Sequence, residues 1–241
     1  MAEKKNPTRV EKTSEEIIRF IISNKMLPGN QLPTEEEFLT WFEVSRGTLR
    51  EAVKLLVARN ILEIRQGAGT FISHKKGIPE DPLGLNFIYD DHRLALDMLE
   101  VRLMFEPHTA ELAAVNATSQ QRKEIAESPR NIESLIRRGE PYADADCRFH
   151  QMIAEASGNR VIGQLMYILH SSVSKNIEIT LDTLRDKNTV FYHHKIARAI
   201  NEGNVISAHW FMATHLNLLR EFVIDKMEAG GLETNKRHNP L

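Results

Sequence analysis

A single cysteine, Cys147, stands in a chain of 241 residues. No disulfide can form within the chain, and a reducing, cytoplasmic setting is expected. No apolar run approaches the roughly 18 residues that a membrane helix needs, so no membrane partner is expected. The opening MAEKKNPTRVEK is polar and lacks the apolar core of a secretory signal. There is no internal repeat and no low-complexity tract. HExxH, GxSxG and P-loop patterns are missing too, which removes the commonest signatures of metalloproteases, serine hydrolases and nucleotide hydrolases.

Strong charge of one sign is also lacking, since the net charge is only −2. Its distribution is uneven. Residues 1–76 carry 13 Lys/Arg against 10 Asp/Glu, and the remainder carries 18 against 23. A basic front on an acidic body fits nucleic-acid contact at the front. Hydrophobic residues make up 41% of the chain, enough to build packed cores and to exclude wholesale disorder.

Residues 10–25 predict a helix, with Ile17, Ile18, Ile21 and Ile22 as its apolar stripe. LPGNQLP (27–33) breaks it. Thr34 and Glu37 form a capping-box pair at the start of a second helix, which reaches about Trp41 or Phe42. Ser45 caps a third helix from Arg46 to about Arg59. ILEIR (61–65) and TFIS (70–73), joined by QGAG, read as a hairpin. Helix, helix, tight turn, helix and a two-stranded wing make a winged helix-turn-helix. On the third helix Leu49, Val53 and Leu56 face inward, while Arg46, Arg50 and Lys54 form a cationic stripe suited to the major groove. A plain solvated helix face is the competing reading of that stripe.

HKKGIPEDPLGLNF (74–87) reads as a linker, and the rest is almost entirely helical. The expected class is therefore mainly α, a winged helix-turn-helix followed by an all-α bundle. The expected boundaries are a tail at 1–9, the DNA-binding domain at 10–74, a linker at 75–90, the bundle at 91–228 and a tail at 229–241.

LPTEEEFLTWFEVSRGTLREAVKLLVARNILEIRQGAGTFI resembles the N-terminal domain of GntR-type transcription regulators. EVRLMFEPHTAELAA (100–114), DADCRFHQMIAEASGN (144–159) and HHKIARAINEGN…MATHL (193–216) are similar to the FCD-type ligand-binding domain of the FadR branch. The resemblance implies a homodimeric repressor or activator, read first as a repressor and not as an enzyme, whose grip on operator DNA changes when a small molecule binds. It places DNA contacts on Ser45, Arg46, Thr48 and Arg50, and on Gly67 at the wing tip. Where the family has a basic residue after the Glu of its LP-S/T-E pattern, this chain has Glu36, so its operator need not follow the family's. A carboxylate there is repelled by phosphate and can accept from cytosine N4.

Asp146 and His150 stand one helical turn apart, a separation that suits two ligands on one cation and equally a simple hydrogen bond. His193, His194, His209 and His215 are the further candidates. His193 and His215 flank a turn at Gly203 by 10 and 12 residues, which sets them nearly level on neighbouring helices. His193 shares its stripe with Ile196, Ala197 and Ile200, whereas His194 lies with Arg198 and Asn201. His215 lies among Ala208, Phe211, Met212, Leu218, Leu219 and Phe222, a core face. His209 is nearer the turn and less inward.

The FCD resemblance implies metal ligands at Asp146, His150, His193 and His215. One carboxylate and three imidazoles suit a divalent transition metal, Zn²⁺ or Ni²⁺, and not Ca²⁺. Arg102, in a stripe with Met98, Leu99 and Phe105, points inward and needs an anion. Glu106 is the local partner. The family resemblance makes it an effector carboxylate instead, a hydroxy acid or a sugar acid held bidentately. Asn159 reads as a helix C-terminal turn residue. The alternatives are a metal-dependent hydrolase, a regulator of a bulky metal-free ligand such as an acyl-CoA, and a purely structural metal.

Overall fold

The computed structural model describes residues 6–85, 88, 91–173 and 187–229. Residues 1–5 of the N-terminal tail, 86, 87, 89 and 90 of the linker, and 230–241 of the C-terminal tail lie outside the described residues. The chain divides into two units, Met1–Glu80 and Asp81–Leu241.

In the first unit α1 spans Arg9–Ser23, α2 Glu35–Phe42 and α3 Arg46–Ala58, followed by strands β1 Leu62–Arg65 and β2 Gly69–Ile72. Side chains close the orphan amides at each helix start. Thr8 with Glu11 and Thr34 with Glu37 make capping boxes, and Ser45 Oγ accepts from Thr48 N at 3.1 Å. Ile17, Phe38, Leu49, Ala52, Leu56 and Leu62 form a closed core. Ile22, expected in the α1 stripe, is 68% exposed. Its stripe is wider than the surface that α3 can cover.

The wing is antiparallel, with Leu62 opposite Ile72 and Arg65 opposite Gly69. The segment expected only as a breaker does more than break. Gly29 N donates to Ile72 O and Leu32 N to Thr70 O, both at 2.8 Å, and Gln31 bridges Phe71. The free edge of β2 is thereby covered, as an exposed sheet edge generally is.

The second unit holds α4 Asp91–Asn116, α5 Ser119–Arg138, α6 Ala143–Ala156, α7 Arg160–Val173, α8 Lys187–Asn201 and α9 Val205–Ala229. The longest shared face is between α4 and α9. α8 packs on α9, α5 and α4, and α6 packs on α4, α5 and α7. The chain is thus mainly helical, with a two-stranded wing and an all-α bundle.

Two local devices place the site-bearing helices. Gly203, at φ +68°, turns α8 into α9, and Asn204 Oδ1 caps α9 by accepting from Ser207 N at 3.0 Å. The Arg122 guanidinium donates to Ala114 O and Ala117 O at the end of α4, and to Ile200 O near the end of α8. One side chain thereby ties the end of α4 to the end of α8, where Ile200 O also accepts from Gly203 N at 3.2 Å. Asn159 begins α7 rather than ending α6. Its Oδ1 accepts from Val161 N and Ile162 N, the geometry of an N-cap.

Candidate metal centre and nucleic-acid interface

Asp146 and His150 share the buried face of α6, His193 lies on α8 and His215 on α9. All four are at most 8% exposed. Each offers one ligand atom, and these atoms lie within 4.8 Å of one another. His193 Nε2 is 3.2 Å from His215 Nε2 and 3.3 Å from Asp146 Oδ1. His150 Nε2 is 3.9 Å from Asp146 Oδ2. Ligands around a tetrahedral Zn²⁺ at bond lengths near 2.1 Å are separated by about 3.3–3.5 Å. His194, next along the chain, points elsewhere and approaches Glu133.

The protonation state suits a metal. A carboxylate only accepts, so the 2.6 Å contact of His150 Nδ1 with Glu106 Oε2 puts the proton on Nδ1. His150 Nε2 faces inward and is buried, with no hydrogen-bond partner among the described residues. Burial, only partly opposed by Asp146, pushes His193 down to about 3, and burial also holds His215 well below its ordinary value. Both rings are neutral near pH 7, the form that ligates. Burial works to raise the Asp146 carboxyl, but His193, His150 and Arg102 together hold it below its ordinary value. The result is one anionic oxygen among three imidazoles, two of them kept neutral by burial, in a dry cluster. These donors fit a divalent transition metal.

Arg102 Nε donates to Glu106 Oε1, so Glu106 joins the guanidinium to His150. The i,i+4 partner weighed in the sequence is formed. Arg102 Nη2 is buried, with no hydrogen-bond partner among the described residues. Glu106 is 1% exposed. Burial opposes its charge, yet Arg102 and His150 hold it well below the usual carboxylate range.

Two residues near the cluster escaped the sequence reading. Glu106 appeared only as a helix partner of Arg102, because its contact with His150 spans 44 residues. His170 on α7 has its ring centroid 6.4 Å from that of His150, and its Nε2 is buried and unpartnered. Burial, with Arg102 nearby, pushes it down to about 3. Its only signal was its place one turn after Met166 on an amphipathic helix. Cys147 adds no ligand. Burial and then Asp146 push its thiol up to about 12.

In the first unit, Ser45, Arg46 and Arg50 are exposed at the start of α3, with Thr48 half-buried. Ser45 Oγ also shares a hydrogen bond with Thr48 Oγ1, so its first duty is the cap. Gly67 sits at the wing tip with φ +73° and open space where a Cβ would stand. The cationic stripe is not bare. Arg46 lies 3.6 Å from both Glu35 and Glu36, Arg50 lies 3.1 Å from Glu35, and Lys54 lies 2.9 Å from Glu51. The capping-box helix α2 opens with three acids, of which Glu35 and Glu36 face the start of α3 while Glu37 turns back to Thr34. Such exposed pairs contribute only about 0–1 kcal/mol each, so phosphate can displace them. Glu36→Lys is expected to tighten binding to non-specific duplex and to steepen the log–log salt dependence by roughly one. A salt titration of duplex binding reads it. An unchanged slope would place residue 36 out of reach of the backbone.

A winged helix-turn-helix with exposed arginines at its third helix, followed by a separate helical unit, is the build of a DNA-binding transcription regulator. Residues 9–72 match the gntR family of bacterial regulatory proteins, and residues 97–218 match the FCD domain. The chain belongs to the GntR family, with an FCD domain as its second part. It is 27% identical over 211 residues to the HTH-type transcriptional regulator LutR of Bacillus subtilis (strain 168), covering 82% of this chain and 93% of that one. It is 30% identical over 155 residues to the galactonate operon transcriptional repressor of Escherichia coli (strain K12), covering 63% and 68%. The solved structure of Streptococcus agalactiae GntR is 37% identical, with a TM-score of 0.76 over 88% of this chain and 99% of that chain. Among the described residues no helix is long and apolar enough to cross a membrane.

Proposed function

We propose that this regulator is a homodimeric repressor whose operator affinity is set by a small hydroxylated carboxylic acid, bound beside a Zn²⁺ or Ni²⁺ ion held by Asp146, His150, His193 and His215. The observation that carries the reading is the convergence of one carboxylate and three imidazoles from three helices, with a buried Arg102 behind them whose Nη2 has no hydrogen-bond partner among the described residues. A metal there supplies a Lewis-acidic anchor for an effector oxygen. Arg102 binds the carboxylate through its free Nη2, while Glu106 keeps the guanidinium and the His150 ring in place. The relative named for a galactonate operon supports a sugar acid or hydroxy acid as the class. On the DNA side, Arg46 and Arg50 exchange Glu35 and Glu36 for phosphate or guanine edges. Ser45 and Thr48 contact the backbone, and Gly67 lets the wing backbone approach closely.

Operator binding by the Zn²⁺-loaded chain, with and without galactonate and shorter hydroxy acids, tests the reading. At least one acid is expected to change operator affinity about 5–150-fold, a coupling of about 1–3 kcal/mol. Arg102→Ala is expected to bind operator as the wild type does and to respond to none. A response retained in Arg102→Ala would remove that residue from the effector site. The closure of the cluster by four protein ligands favours a structural metal as the second reading. In that case no acid changes operator affinity, while chelation lowers the unfolding temperature.

A further inference from the structure

α4 and α9 meet along more than the buried cluster. Beyond Arg102 and Glu106, α4 carries His108 and Glu111, and ahead of His215, α9 carries His209. These three side chains converge at the surface. His108 Nδ1 is 3.0 Å from Glu111 Oε2, and His209 Nδ1 is 2.9 Å from Glu111 Oε1. The two imidazole centroids are 5.0 Å apart. One ligand atom from each residue lies within 4.8 Å of the others.

We propose that His108, Glu111 and His209 form a second, exposed site for a divalent transition metal, separate from the buried cluster and exchangeable with solvent. The donors decide the class of ion. Two imidazoles with one carboxylate favour Zn²⁺, Ni²⁺ or Cu²⁺ over Mg²⁺ and Ca²⁺, which prefer oxygen. Three protein ligands leave at least one position to water, which is the pattern of an open site. The nitrogen–oxygen separations fall a few tenths of an ångström short of the about 3.3 Å between ligands of a tetrahedral ion, a gap that exposed side chains close easily.

His108 Nδ1 makes a hydrogen bond to one Glu111 oxygen. His209 Nδ1 approaches the other oxygen just as closely. One carboxylate thus holds together two imidazoles from neighbouring helices, the donor set that an incoming divalent ion would take over from the shared protons. The hydrogen bond from His108, ahead of the opposing effect of burial, keeps the Glu111 carboxyl below its ordinary value, so it is anionic near neutral pH.

The placement gives the site a consequence. His108 follows Glu106 by two residues, and His209 precedes His215 by six, about 9 Å along α9. An ion here would staple the same two helices that carry Arg102 and His215. Binding to the folded chain alone stabilises it by mass action, so added metal raises the unfolding temperature. The site does not depend on the effector reading, and its test keeps the two apart.

The untagged full-length chain is stripped with chelator and titrated with Zn²⁺ against a chromophoric competitor. Wild type, Asp146→Ala, His108→Ala/His209→Ala and Glu111→Gln are compared, with operator binding as the check of folding. Wild type is expected to take up two equivalents, one tight and one weaker. His108→Ala/His209→Ala loses only the weaker, Glu111→Gln loosens it, and Asp146→Ala keeps it. If Asp146→Ala does not fold, the weaker equivalent is counted on wild type whose tight site is already filled. A weaker equivalent that persists in His108→Ala/His209→Ala overturns the proposal. So does a wild-type chain that binds a single equivalent, lost with Asp146.

Discussion

Purified without added metal or tag and rinsed with mild chelator, the wild-type chain is expected to retain about one transition-metal ion, and Asp146→Ala to lose most of it. The reason is electrostatic. Asp146 supplies the cluster's one anionic oxygen among the four candidate ligands, and the Arg102 guanidinium lies close enough to act on it. Without that carboxylate a divalent ion sits in a poorly screened interior beside a fixed cation, offset only by Glu106. Charge repulsion at such sites far exceeds that between surface groups. Three imidazoles keep the geometry and lose the charge match. Elemental analysis of the two proteins side by side reads the result. Equal metal in both would move the retained ion away from Asp146 and favour another site on the chain.

Glu106→Ala is expected to lower the stability of the second unit by about 3–5 kcal/mol, the usual consequence of breaking a buried ion pair from one side. For a unit of this size that is a fall of roughly 10 °C in the unfolding midpoint. Two groups are orphaned together. Arg102, 8% exposed, loses its counter-ion, and His150 Nδ1 loses the acceptor that sets its tautomer. Glu106→Gln keeps shape and one acceptor but gives up the charge. It is expected to fold well and to weaken metal affinity roughly 10–100-fold through the freed His150 ring. Thermal unfolding of the metal-free proteins and chelator competition separate the two effects. A Glu106→Ala protein matching wild type in both would show that the Arg102–Glu106–His150 chain carries no weight.

Much of this molecule is written in short-range signals. Thr34 with Glu37, Ser45 before Arg46, and Gly203 between two apolar stripes act over one to four residues, and the structure uses each where it stands. The contrast between His193 and His194 was legible for the same reason. Helical periodicity alone separates a residue beside Ile196 and Ile200 from one beside Arg198. The near-level placement of His193 and His215 followed from counting residues either side of a tight turn.

Contacts between elements distant in sequence were not legible. No local pattern says that Glu106 on α4 holds His150 on α6, or that Arg122 on α5 closes the ends of α4 and α8. None says that Glu35 and Glu36 stand against Arg46, since that depends on the angle at which α2 meets α3. His209 was set aside as less inward, because periodicity ranks faces by burial and cannot see that His108 and Glu111 wait across the α4–α9 seam. The sequence by itself determined the elements of the first unit, the caps at Thr34 and Ser45 and the inward faces that carry His193 and His215, because those are settled within a turn or two of backbone; the N-cap at Asn159 and the pairing of 29–32 with β2 depended on packing. Which charged groups meet, and so which nitrogens keep a free lone pair, was decided only by packing, because a polar group's partner is whatever the neighbouring helix brings within about 3 Å.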